Sequence, residues 1–132
     1  MTSRFLRFAI VGALGFVVDA GVLALVLHSG LAGFHAGRCL SFLAAASFTW
    51  ALNRRFTFAD RAASRGSRGT QWARYVAAMS AGAAVNYAVY ALVLAWAGYT
   101  ALIAPFAVAA GSIAGLGVNF SAARWFVFAA RP

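Results

Sequence analysis

Four apolar stretches, over residues 8–27, 36–52, 75–96 and 101–122, occupy most of this chain, and nearly all charged positions fall between them. Each run, at about 1.5 Å per residue, approaches the ~30 Å of a bilayer's hydrocarbon, the second being the shortest. Continuous apolar runs of this length cannot supply the alternating strands of a barrel, so the pattern predicts helices, whose backbone groups bond within the segment. The expected fold is an all-α integral membrane protein: four transmembrane helices as two tandem hairpins, forming a single membrane domain over 1–132. Residues 28–35, with Gly30 and Gly33, read as a tight turn, and the connection around Gly98 and Tyr99 reads as shorter still. Between the hairpins, 53–74 reads as a basic loop, and the Ser/Gly/Arg-rich part at 59–71 as a mobile surface segment. Arg4 and Arg7 before an apolar stretch resemble the start of a signal peptide. The run to residue 27 is too long for a typical h-region, however, and reads as a retained first span.

Composition sharpens this picture. Hydrophobic residues make up 64% of the 132 and charged ones 10%, against roughly half and a quarter in soluble domains. The net charge of +9 comes from arginine alone, with Asp19 and Asp60 the only acids. In a soluble protein such a balance would suggest nucleic acid; beside hydrophobic spans it points to anionic lipid head groups, and no nucleic-acid partner is expected. The single cysteine, Cys39, excludes an intrachain disulfide. Without lysine there is no phosphate-binding loop for ATP-driven pumping. His28 and His35 flank a turn with no nearby carboxylate or second thiol, so no metal site is expected. No paired carboxylates or Ser/His/acid arrangement is visible, so neither enzyme chemistry nor a cofactor is expected.

Arginine placement sets the orientation. Arg4, Arg7, Arg54, Arg55, Arg61, Arg65, Arg68, Arg74, Arg124 and Arg131 share one side of the predicted bundle, and only Arg38 lies towards the other. The positive-inside rule puts both ends of the chain and the middle loop in the cytoplasm. Trp72, Tyr75, Trp125 and Phe128 fall at that interface as an expected aromatic belt.

The chain also repeats. Arg7-Phe8 matches Arg74-Tyr75 and Asp19 matches Asn86 at a spacing of 67 (74 − 7 and 86 − 19), and Ala-Leu-Val-Leu at 24–27 recurs at 91–94. Arg54, Phe56 and Phe58 match Arg124, Phe126 and Phe128 at 70 (124 − 54 and 128 − 58). Both copies start and end inside, which makes a parallel repeat about an axis along the membrane normal. Such a repeat suits either a translocation site between the halves or a duplicated packing unit.

Asp19 lies about eleven residues into the first span, where an ionised carboxylate costs about 3 kcal/mol on insertion scales. It marks a functional position or a polar contact between helices, a role open also to Asn86. Arg38 sits near the outer end of the second span. It either snorkels to the outer head groups, pairs with Asp19 across an offset of about six residues, or ~9 Å, or recognises phosphate. Asn53, Arg54 and Arg55, and Asn119 with Arg124, stand where the even-numbered spans leave the membrane; amides and cations beside aromatics could hold a sugar-phosphate head group there. Arg7 and Arg74 would complete a ring of positive charge, and topology and anchoring also account for such arginines. Gly12-x-x-Gly15 and Gly111-x-x-x-Gly115 suit close helix packing or homo-oligomerisation.

The stretches Arg-Phe-Ala-Ile-Val-Gly-Ala-Leu-Gly at 7–15 with Asp19, Arg-Cys-Leu-Ser-Phe at 38–42, Leu-Asn-Arg-Arg-Phe-Thr-Phe at 52–58, Asn-Phe at 119–120 and Arg-Trp-Phe-Val-Phe at 124–128 resemble the GtrA-like family, the GtrA/DPMS transmembrane domain. The halves differ chemically, since Thr49 stands where the second copy has Asn119. The resemblance implies a role in cell-surface polysaccharide synthesis at the bacterial cytoplasmic membrane, moving a polyprenyl-phosphate-linked monosaccharide to the outer leaflet beside a membrane glycosyltransferase. Under it, Arg54, Arg55 and Arg124 would capture the phosphate inside, Asp19, Asn86 and Asn119 would bond the sugar midway, and Arg38 would receive the phosphate near the outer face. Two other classes compete. A non-transporting anchor of the glycosyltransferase would need the spans and the basic loop but not Asp19. A small proton-coupled exporter of hydrophobic cations would use an acid in its first span but sits poorly with so many interfacial arginines.

Overall fold

A computed structural model describes residues 2–62 and 66–129, and Arg65 and Arg131 lie outside the described residues. Four α-helices follow one another: α1 (Thr2–His28), α2 (Phe34–Leu52), α3 (Arg68–Ala97) and α4 (Ala104–Ala122). The tightest pairings are α1 with α2 and α3 with α4, so the chain is two tandem helical hairpins. By length and composition, α1, α3 and the stretch Ala104–Val127 each suffice to cross a membrane. α2 is shorter, at 19 residues, and carries His35 and Arg38 near its start. It completes the first hairpin against α1, which answers the charge of Arg38 with Asp19.

The helices differ from the expected spans at their ends, for local reasons. α3 begins at Arg68 rather than near Tyr75 because Ser67 caps it, its Oγ accepting from the Thr70 N–H at 3.2 Å. The basic loop is correspondingly shorter than 53–74. Residues 53–57 continue α2, Ala59–Arg61 form one 3₁₀ turn, and 68–71 are already helical. The α3–α4 connection is also longer than expected, over 98–103. Gly98, at φ 106°, turns the chain out of α3, and α4 starts at Ala104 with a proline in its first turn.

The internal repeat extends to backbone detail. Each hairpin ends in one π-helical turn, Asn53–Thr57 and Ala123–Val127, again 70 residues apart (123 − 53). The Phe58 N–H reaches the Asn53 carbonyl at 2.7 Å and the Phe128 N–H that of Ala123 at 2.8 Å. The wider turn swings Phe58 and Phe128 into the bundle, where both are fully buried and stack with ring centroids 4.7 Å apart and planes 10° apart. Phe8 meets Phe58 edge-on at 6.3 Å, and its counterpart Tyr75 meets Phe128 likewise at 6.2 Å. These matched contacts obey an approximate twofold relation centred on the phenylalanine stack. Tyr75 and Phe128 therefore belong to the core rather than to the expected aromatic belt, whereas Trp125 is exposed.

Truncating Phe58 to alanine removes the centre of this junction. Lipid is as apolar as the ring, so the loss is chiefly packing, and about 3 kcal/mol is expected, the low end for buried aromatics. Thermal unfolding in detergent micelles should show it as a lowered Tm, while Trp125→Ala leaves Tm nearly unchanged.

Candidate functional site

All four helices leave a cavity of about 240 Å³ between them. Gly15 and Asp19 of α1, Thr49 and Asn53 at the end of α2, Tyr75 of α3 and Asn119 of α4 contribute to its wall, and the remainder is mostly apolar. Its shape follows from pairs of small and polar residues that the repeat places at equivalent points. Thr49 packs its methyl group onto Gly15, and in the second half Asn119 lies directly over Gly82; a side chain at either glycine would collide.

Asp19 is the charged end of the cavity. Arg38 Nη1 donates to its Oδ2 and also to Ser41 Oγ at 3.3 Å. The bond to Ser41, one turn deeper on α2, shows that the guanidinium lies back along the helix. That direction closes the axial offset that the helix rise left between the two residues. The Asp19 side chain is 17% exposed and that of Arg38 57%, so the acid is inside and its partner borders the edge. The other carboxylate oxygen, Oδ1, is buried with no partner.

The inner end is neutral. Asn53 is 1% exposed; its Nδ2 donates to the Tyr75 hydroxyl at 2.9 Å, and its Oδ1 accepts from Thr57 Oγ1 at 2.7 Å. The network ties α2 and its π turn to α3, so part of the role of Asn53 is structural. Thr49 Oγ1 donates back to the Ala45 carbonyl at 2.9 Å. Asn119 Oδ1, by contrast, is buried with no partner. Two residues of the cavity wall thus carry unpartnered acceptors, Asp19 Oδ1 and Asn119 Oδ1, and both oxygens are buried rather than open to the cavity. Buried acceptors left empty are costly and uncommon, and rotation of either side chain toward the cavity would offer its oxygen to a hydroxyl group.

The other expected site residues do not line this cavity. Asn86 packs at the α3–α4 contact, its backbone and amide oxygens against Gly111 and its Cβ against Gly115. Arg54 is held outside, its Nε donating to Gln71 Oε1 at 3.0 Å and its Nη2 to the Ala62 carbonyl at 2.9 Å. Arg55 lies over the Phe56 ring and Arg124 over that of Trp125, each at 5.7 Å. Arg7 donates to the Phe56 carbonyl at 3.3 Å, and Arg74 lies 5.7 Å from the Phe126 ring, so these two brace equivalent π turns. Sequence reasoning missed Thr49 and Tyr75 as cavity residues. The 67-residue match of Phe8 to Tyr75 was the available signal, since one buried aromatic implies the other.

A bundle of two repeated hairpins around a mostly apolar cavity with a few polar groups, ending in paired Arg-x-Phe-x-Phe turns, agrees with one family description, GtrA/DPMS, transmembrane domain, which matches residues 7–128. The chain belongs to this family. The match takes in both hairpins and both π turns, so the whole described bundle is the GtrA/DPMS domain. It is a multi-pass membrane protein of a family tied to glycosyl-lipid processes, and the domain is generally non-catalytic in itself. No curated protein matches the sequence closely enough to count as a relative.

Proposed function

We propose that this GtrA/DPMS domain translocates a polyprenyl-phosphate-linked monosaccharide across the bacterial cytoplasmic membrane for surface polysaccharide synthesis. In this reading both ends of the chain face the cytoplasm, and a membrane glycosyltransferase supplies the lipid donor. The observation that carries it is a cavity whose wall includes Asp19 and Asn119, two residues with unpartnered acceptor oxygens. Several hydroxyls must pass through hydrocarbon while the polyprenyl tail stays in lipid, and each unbonded hydroxyl there costs several kcal/mol. Asp19 and Asn119, with their side chains turned toward the guest, take those hydrogen bonds, and Arg38 at the rim meets the phosphate. The volume of about 240 Å³ corresponds to about eight waters at ~30 Å³ each, a space on the scale of one sugar ring. The engagement of Asp19 by Arg38 speaks against a cation exporter, which needs that acid for its substrate.

Reconstitution into liposomes with a labelled polyprenyl-phosphate monosaccharide, scored in the opposite leaflet, tests the proposal. Asn119→Leu fills the acceptor position with hydrocarbon of similar size. It should lower the rate by at least about tenfold, the loss of one buried polar contact, with Tm preserved. A glycosyltransferase anchor would instead keep enzyme recruitment and show no transfer even in the parent protein.

A further inference from the structure

A second pocket, of about 420 Å³, lies at the cytoplasmic end of α2, lined by Trp50, Arg54, Arg55, Ala59, Ala62 and Arg68. It is not an extension of the sugar cavity. Thr49 and Asn53 face that cavity, and Ala51, two residues on from Thr49, stands roughly 200° round the helix. The two spaces therefore sit on different faces of α2, and a phosphate held by Arg54 and Arg55 is outside the bundle interior.

The chemistry of this pocket is one-sided. Its three guanidiniums have no carboxylate, because both acids of the chain are engaged elsewhere: Asp19 with Arg38, and Asp60 with Arg4 at 3.0 Å and Arg61 at 3.7 Å. Arg68 occupies the first turn of α3, where the helix dipole disfavours a cation and favours an anion. Trp50 contributes its ring to the wall, with the Arg54 guanidinium 6.0 Å from the ring centroid. Positive charge accumulates here without a counter-charge, and the missing partner is an anion.

We infer that this pocket binds the phosphate of an anionic phospholipid in the cytoplasmic leaflet, at a site separate from the translocation cavity. A lipid is favoured over a free anion because the pocket stands where a span meets the interface, with Trp50 at its wall. Guanidiniums grip phosphate oxygens in pairs, an indole favours the head-group level, and that leaflet is rich in anionic lipid. Arg54 is fixed by Gln71 and the Ala62 carbonyl and positions the pocket wall; Arg55 and Arg68 are exposed and available to the ligand.

The test is native mass spectrometry of the purified full chain titrated with phosphatidylglycerol, with phosphatidylcholine as the zwitterionic control. Arg55→Gln with Arg68→Gln should weaken phosphatidylglycerol binding by at least about tenfold. Arg74→Gln with Arg124→Gln removes the same charge from the second hairpin and should change it by less than about twofold. Equal losses in the two double variants, no loss in the first, parity between the two lipids, or displacement by millimolar inorganic phosphate would each overturn the assignment. Liposome translocation by the parent protein is read separately, so failure here leaves that result standing.

Discussion

Arg38→Ala is expected to unfold part of the first hairpin and to abolish translocation. The substitution leaves Asp19 as an unpaired carboxylate between α1 and α2, with only Ser41 near it. Removing one partner of a fully buried pair costs about 3–5 kcal/mol. Arg38 is more than half exposed, so a smaller loss, about 2 kcal/mol, is expected after screening. Restoring neutrality separates structure from function. Asp19→Asn combined with Arg38→Gln removes both charges and keeps hydrogen-bonding groups of similar shape, so Tm should recover most of the loss, a coupling of about 1–2 kcal/mol. Translocation should not recover, because no guanidinium remains at the rim. Thermal unfolding and the liposome assay on the four members of the cycle provide the check. A double variant that regains both stability and transfer would reduce the pair to a structural clasp.

The hairpins, their pairing and the repeat were all legible in the sequence. Span length obeys bilayer physics directly, and the offsets of 67 and 70 foreshadow the stacked Phe58 and Phe128. The π turns were not legible, because one residue added to a helical turn leaves no mark on hydrophobic periodicity. Their consequence was therefore missed as well: Phe128 and Tyr75 read as interfacial anchors when they are core. Of the expected site residues, Asp19, Asn53 and Asn119 do meet in one cavity. Arg54 and Arg55 were grouped with Asn53, where the second span leaves the membrane. Rotation about α2, which composition does not encode once both faces are apolar, separates them. The start of α3 was hidden by the Ser/Gly/Arg composition before it, although Ser67 three residues ahead of Thr70 carries a capping signal.

The second large effect concerns the α3–α4 contact, where Gly111→Val should prevent assembly of the second hairpin. A Cβ at Gly111 would lie 2.5 Å from the Asn86 carbonyl oxygen and 2.6 Å from its Oδ1. The first of these is backbone and cannot rotate away, so α3 itself has to retreat. At Gly115 a Cβ would stand 2.8 Å from Asn86 Cβ and 2.9 Å from the Gly82 carbonyl, so α4 has no slack one turn further on. Lipid supplies no hydrophobic force to hold the pair together at a longer distance, and close packing is the main attraction left. Overpacking usually costs 1–3 kcal/mol, and at least about 3 kcal/mol is expected here because two backbones are displaced. Size-exclusion chromatography of detergent extracts should show little folded Gly111→Val protein, whereas Gly117→Ala, with nothing within 4 Å of the new methyl, should match the parent. Gly82 separates backbone from side-chain obstruction. Its three nearest obstacles are all atoms of the Asn119 amide, so Gly82→Ala should be rescued by Asn119→Ala, while trimming Asn86 to alanine should fail to rescue Gly111→Val. Rescue in the second case would mean that α3 and α4 are held apart by the Asn86 side chain and not by main-chain contact.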